Sequence, residues 1–291
     1  MHKILEYQNN PAFIKLLKAS SVAYSKSKVW EIRFSYSLIF LAFAYPISYI
    51  LIKDETIKIS LFGFSFFLTL LNIILTNTLK CNTTKGAIFK EEFDTKIFNL
   101  PWKSTLKMPD HTEVSILSLQ FKGKDIKDWY SCSLLPTIPH NTAVAILQHS
   151  NTSWDIELRK SFKNLIIVLL ASHSILLFLF FVIMKVDGLT IFFIAFSILS
   201  FYSHFISLIR GHSSAIEKRE FISKHLDEMI RSKLDISIEN LRDIQDEIYS
   251  TRQESAKVPN FFFRFYQKRM NAIVEDYIDS VNEIYIIQTK E

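Results

Sequence analysis

Three of the four tryptophans in this chain of 291 residues, Trp102, Trp129 and Trp154, fall in one polar stretch beside charged residues. Trp102 precedes Lys103, Trp129 stands in Lys127-Asp128-Trp129-Tyr130, and Trp154-Asp155 is followed by Arg159. Indole rings beside Lys or Arg are what a site for a nucleobase and its phosphates needs, since rings stack on bases and cations meet phosphate. The same residues suit a small core, where tryptophan supplies apolar area and its N–H finds a carboxylate. Composition alone favours the core.

Signs of catalysis are missing. The eight histidines make no HExxH or other metal spacing. No GxSxG, Walker A or GxGxxG pattern occurs, and five glycines leave little for a phosphate-cradling loop. Glu91, Glu92 and Asp94 stand together on a predicted helix, most simply as a solvated face. Cys81 and Cys132 form no CxxC pair and read as inert thiols. No catalytic residue, metal or cofactor is expected.

The elements that would position the tryptophans are apolar helices. Four windows hold no Asp, Glu, Lys or Arg: Phe34–Ile52, Ile59–Leu79, Leu165–Met184 and Leu189–Ile209. About 20 such residues cross a bilayer as a helix, so all four windows qualify. The first begins too late and runs too long for a cleaved signal peptide, which makes it an uncleaved span. Lys and Arg are sparse in the two short links and gather at the other ends of the spans, as Lys26, Lys28 and Arg33 do before the first. The positive-inside rule then puts both termini and the middle stretch in the cytoplasm. The expected divisions are 1–33, an N-terminal helix, 34–79, the first hairpin, 80–164, the middle segment, 165–209, the second hairpin, and 210–291, a C-terminal helical region. The net charge of +5 is spread over these parts without a basic block, so no DNA or RNA polymer is expected as partner.

The polar parts read as helix, which makes the chain an all-α membrane protein. Asn10 caps a helix opened by Pro11, residues 81–98 extend the second span, and Asn141 caps a helix leading into the third. Ile222, Leu226, Met229 and Ile230 mark one face past the fourth span, and Leu234 to Ile248 a second stripe. Pro259 breaks the pattern before a last helix. Its first residues, Asn260 to Arg269, suit either an interfacial anchor, with phenylalanines at the headgroups and Arg264, Lys268 and Arg269 on anionic lipid, or docking on other helices.

Polar residues within the spans are patterned. Ser65, Thr69, Asn72 and Thr76 share one face of the second span, and Ser197, Ser200, His204 and Ser207 one face of the fourth. Such stripes pack helices together or line a water-filled path between subunits.

Several stretches resemble the SMODS-associated four-transmembrane effectors of bacterial CBASS antiphage systems. They are Glu92-Phe93-Asp94-Thr95-Lys96-Ile97-Phe98-Asn99-Leu100-Pro101-Trp102, Asp128-Trp129-Tyr130-Ser131, Ser150-Asn151 with Trp154-Asp155 to Leu158-Arg159, and Leu241 to Tyr249 with Arg252 and Val258-Pro259. The resemblance implies a pore-forming effector that senses a cyclic oligonucleotide on the cytoplasmic side and breaches the membrane in abortive infection, as a homo-oligomer. On that footing Trp102, Trp129, Tyr130, Trp154, Arg159, Arg242 and Arg252 are the expected ligand contacts, and the two stripes the expected pore lining. A membrane-anchored scaffold that conducts nothing is the alternative.

Overall fold

The computed structural model describes residues 2–124, 126–130, 133–232, 235–254 and 256–288, without the side chains of 49, 55, 61–62, 72–73, 75–79 and 287–288. Its elements are helical: α1 (Lys3–Tyr7), α2 (Pro11–Leu51), α3 (Glu55–Phe98), α4 (His111–Leu119) and α5 (His140–Ile183), then α6 (Gly188–Ser197), α7 (Leu199–Ser232), α8 (Ile238–Glu254) and α9 (Asn260–Gln288). The described residues contain no strand.

Helices α2, α3 and α5 each join a polar half to an apolar half without a break, so movement in one is carried directly to the other. Asn10 opens α2 by accepting from the amide of Ala12 at 3.0 Å, with Pro11 in the first turn where its missing N–H costs nothing. Helix α3 ends where Asn99 turns left-handed at φ 55°, a conformation asparagine tolerates, two residues before Pro101. The cap expected of Asn141 is not made. Helix α5 starts at His140 with no side-chain cap, and the Asn141 amide donates instead to the Ile236 carbonyl at 2.7 Å. That bond ties the α7–α8 connection to α5, a use that local spacing does not reveal.

Helix α5 is long and apolar enough by itself to cross a membrane, and only 11 % of its apolar window is buried. Val168, Ile175, Phe178 and Ile183 are exposed along it, which a water-soluble core helix would not allow. The pair α6–α7 passes the same test together but bends by 47° at Ile198, inside the fourth window. Two side chains act at the bend: Ser197 Oγ donates back to the Phe193 carbonyl at 2.7 Å, while Ser65 Oγ of α3 donates to the Ser197 carbonyl at 3.3 Å. Both pull on a carbonyl that a straight helix would use internally. Thr56–Leu71 is a shorter apolar stretch of α3 that overlaps the start of the second window.

Two apolar clusters hold the chain together. One fills the polar half, where Phe93, Phe98, Leu147, Leu226, Leu241 and Ile278 meet. The other sits where the polar half gives way to the apolar one, around Leu158, Phe162, Ile166, Phe201, Phe205 and Phe262. The candidate site lies between them.

Candidate functional site

The turn of α3 before its end carries Lys90, Glu91 and Asp94, and none of them is solvated: Glu91 and Asp94 are 0 % exposed and Lys90 is 5 %. Glu92 is buried as well, so the solvated face expected for these acids is corrected to a buried charge cluster. Its counter-charges come from α8. Arg242 Nη2 reaches Glu91 at 2.6 Å, the Gln245 amide donates to the same carboxylate at 2.7 Å, and Arg252 Nη2 lies 2.6 Å from Asp94. Burying acids this far from water is tolerable only with such partners. Asp94 also meets Lys90 at 3.0 Å and accepts from the Tyr130 hydroxyl at 2.9 Å. Burial alone would raise the Asp94 pKa, but Lys90 and Arg252 outweigh it and hold the carboxyl below its ordinary range.

A cavity of about 420 Å³ opens beside this cluster, within the size range of small-molecule sites. Its walls carry the basic side chains of Lys28, Lys90, Arg159, Arg219, Arg252 and Lys257, from five helices and the α8–α9 connection. Asp155 is the one carboxylate among its described lining residues. Tyr24, Trp129, Trp154 and Phe263 supply aromatic walls. Lys90 Nζ stands 4.2 Å from the centre of the Trp129 ring and 4.1 Å from that of Phe93, which partly offsets its desolvation. A second cavity of about 410 Å³ shares Trp129, Trp154 and Phe263 with the first. It adds the neutral amides Gln267 and Asn271, and Trp154 Nε1 donates to Asn271 Oδ1 at 2.9 Å.

Asp94 is the ion partner of two buried cations that face this cavity, Lys90 Nζ at 3.0 Å and Arg252 Nη2 at 2.6 Å. Arg252 Nη1, 3.8 Å from Glu91, is a buried donor with no hydrogen-bond acceptor among the described residues, and such a donor costs about 1–3 kcal/mol. Aromatic faces and basic side chains therefore stand side by side in the cavity wall. Burial pushes the Lys90 pKa down to about 7 and that of Lys257 to about 8, against the pull of Asp94 and Glu31.

These shifts give a prediction with two opposite signs. An anion in the cavity raises the lysine pKa values, so binding takes up protons above about pH 7 and affinity falls as pH rises through the window from about 7 to 8. The unliganded fold does the reverse. The unfolded chain holds the Lys90 proton up to the ordinary lysine range, so stability rises with pH above about 7. Calorimetric titration in buffers of different ionisation enthalpy, beside unfolding midpoints over the same range, checks both trends.

Four of the seven expected ligand contacts, Trp129, Trp154, Arg159 and Arg252, line the first cavity, and Tyr130 lines the second. Trp102 and Arg242 line neither. Trp102 Nε1 donates to the Leu106 carbonyl at 2.9 Å, and Arg242 spans Glu91, Asp246 and the Pro101 carbonyl. Sequence reasoning missed Lys28, Lys90, Arg219 and Lys257. The i, i+4 spacing of Lys90 and Asp94 was the available signal for one of them.

A second ionic knot ties the cavity to the apolar helices. Asp155 meets Arg159 Nε at 2.5 Å and Arg219 Nε at 2.7 Å, joining α5 to α7. Arg159 Nη1 also donates to the Ala256 carbonyl at 2.7 Å and lies 3.3 Å from His212 Nδ1. Burial and the neighbouring guanidinium of Arg159 push His212 down to about 3, which keeps its ring neutral.

In the apolar half the two polar stripes face each other. Besides the Ser65–Ser197 contact, Thr69 Oγ1 lies 2.9 Å from Ser200 Oγ, and His204 Nε2 lies 2.9 Å from Ser35 Oγ of α2. Ser207 is exposed, and the side chains of Asn72 and Thr76 fall outside the described residues.

A family model described as the SMODS-associating 4TM effector domain matches residues 2–281. A protein described as a probable CBASS effector molecule, from Bacillus cereus (strain VD146), is 30 % identical over 173 residues. That alignment covers 56 % of this chain and 57 % of the relative, so the chain matches a little over half of that protein's length. No solved structure matches the chain.

Proposed function

The chain belongs to the SMODS-associating 4TM effector family, and from that premise we propose that it is a CBASS antiphage effector in which a cyclic oligonucleotide occupies the cavity under Trp129 and Trp154. Binding permeabilises the inner membrane and brings about abortive infection, without catalysis. In this reading the chain crosses the membrane four times, as hairpins over 34–79 and 165–209. Both termini and the polar half face the cytoplasm, where the messenger is made. Several copies assemble around the path that opens.

The observation that carries the reading is the cavity: six basic side chains and two tryptophans converge on a space with a single carboxylate among its described lining residues. Phosphates suit the basic walls and the open Nη1 donor of Arg252, and bases suit the indole faces. Arg159 and Arg219 supply the coupling, since both hold Asp155 in the empty site. A phosphate competing for them loosens the link between α5 and α7. A ligand shifts a packing equilibrium only through such differential contacts. The test is titration of the purified full-length protein with a panel of cyclic di- and trinucleotides. At least one should bind saturably and, at about a hundredfold excess over its Kd, stabilise the protein by about 2.7 kcal/mol. If none binds, the reading fails.

The stripes are the second place to probe. Replacing Thr69, Ser200 and His204 by leucine removes the hydrogen bonds seen between the helices and any polar lining. The expected result is retained nucleotide binding with loss of nucleotide-triggered release from liposomes. Unchanged release would assign the stripes to packing. A scaffold that recruits a partner and conducts nothing draws its support from these same contacts, because the stripes are hydrogen-bonded to each other in this state. It predicts binding without any release by the unaltered protein.

A further inference from the structure

The first turns of α9 leave aromatic side chains in the open. Phe265 is 81 % exposed and Phe261 58 %, while Phe262, turned toward α5, is only 7 % exposed. Arg264, Lys268 and Arg269, all exposed, flank the two open rings. Large exposed phenylalanines ringed by cations mark a surface with a partner.

Their height relative to the bilayer follows from what α9 touches. It runs antiparallel to α5: Phe262 packs on Phe162 at 5.1 Å, Asn271 on Trp154, Tyr277 on His149 at 3.9 Å, and Asn282 donates to the Ser133 carbonyl at 2.6 Å. The start of α9 is therefore its end nearest the apolar half. Phe162 precedes the charge-free window of α5, which begins at Leu165, by about 4.5 Å at 1.5 Å per residue. A headgroup layer is about 5–8 Å deep. Phe261 stands within that layer and Phe265, about 4.5 Å past Phe262 along α9, at its outer edge, while Lys268 and Arg269, a turn further out, have long side chains that lean back toward it. Lys28 Nζ, which donates to Asn260 Oδ1 at 3.0 Å, fixes the same level on α2. Close by in sequence, Trp30 is 44 % exposed with the Arg33 guanidinium 6.0 Å from its ring, as in an interfacial aromatic belt.

We infer that residues 261–269 form an interfacial foot on an anionic leaflet, with Phe261 and Phe265 in the headgroup region and Arg264, Lys268 and Arg269 on lipid phosphate. The foot fixes α9, whose Phe263 and Asn271 line the cavities, to the membrane surface. This inference needs α5 to span the bilayer but does not need any nucleotide to bind.

The experiment uses the full-length protein carrying Cys81→Ser and Cys132→Ser, with one environment-sensitive fluorophore on a new cysteine, in phosphatidylglycerol–phosphatidylethanolamine vesicles. Labels at Phe261→Cys and Phe265→Cys should be quenched by a shallow nitroxide lipid and shielded from aqueous acrylamide. A label at Phe221→Cys, 73 % exposed on α7 and about 18 Å along the helix from Ile209, should show the reverse, with a several-fold difference in acrylamide quenching. Equal acrylamide access at all three positions overturns the foot. Efficient disulfide cross-linking between copies at Phe265→Cys overturns it in favour of a second copy as occupant. A label at Ile175→Cys is the reference for the span: if a deep nitroxide lipid fails to quench it, α5 does not cross and the foot goes with it.

Discussion

Replacing Asp94 by asparagine is expected to destabilise the polar half by about 3–5 kcal/mol, because it leaves two buried cations without their counter-charge. Asp94 is 0 % exposed and is the ion partner of both Lys90 and Arg252. Glu91 does not substitute for it, since it lies 3.8 Å from Arg252 and is engaged by Arg242 and Gln245. The unfolding midpoint in detergent should fall by on the order of 10 °C. A fall below about 2 °C would show that the cluster is solvated. The variant also probes the ligand's position. With Asp94 gone, a phosphate in the cavity becomes the counter-charge, so a cyclic oligonucleotide should raise the variant's midpoint by more than it raises that of the unaltered protein. Equal increments would place the phosphates away from Lys90 and Arg252.

Replacing Arg159 by alanine separates binding from stability. Asp155 keeps Arg219 at 2.7 Å, so the fold loses less than with Asp94→Asn. Arg159 is nonetheless the side chain that reaches α5, the α8–α9 connection and the cavity at once. A hydrogen bond to a charged group contributes about 1.5–3 kcal/mol, so nucleotide affinity should drop by about 10- to 150-fold. Lysine at this position keeps the charge but not the planar fork, and should recover part of the affinity without the Ala256 contact. If alanine leaves the affinity intact, the phosphates do not reach Arg159.

The long helices were readable because their signals are local. Charge-free windows, the Asn10-Pro11 start and the Pro259 break each act within a few residues, and α2, α5 and α9 follow them. What was missed depends on distant partners. Glu91 and Asp94 look like a solvated face until Arg242 and Arg252, roughly 150 residues further along, neutralise them. Lys28, Arg219 and Lys257 come from three segments with no common spacing, so nothing in the local pattern places them around one cavity. Trp154 and Arg159 were accessible because one helix presents both, five residues apart on α5. The bend at Ile198 escaped notice for a similar reason, since part of its cause is Ser65 on another helix.

The most direct test of the account is release of a trapped dye from anionic liposomes holding the full-length protein, before and after a cyclic oligonucleotide is added. The account predicts tight vesicles without nucleotide and rapid release with one member of the panel. Release should be lost in the Trp129→Ala, Trp154→Ala double variant, whose stacked bases are each worth about 1–3 kcal/mol. Release that needs no nucleotide, or no release by a protein that binds one saturably, would contradict it.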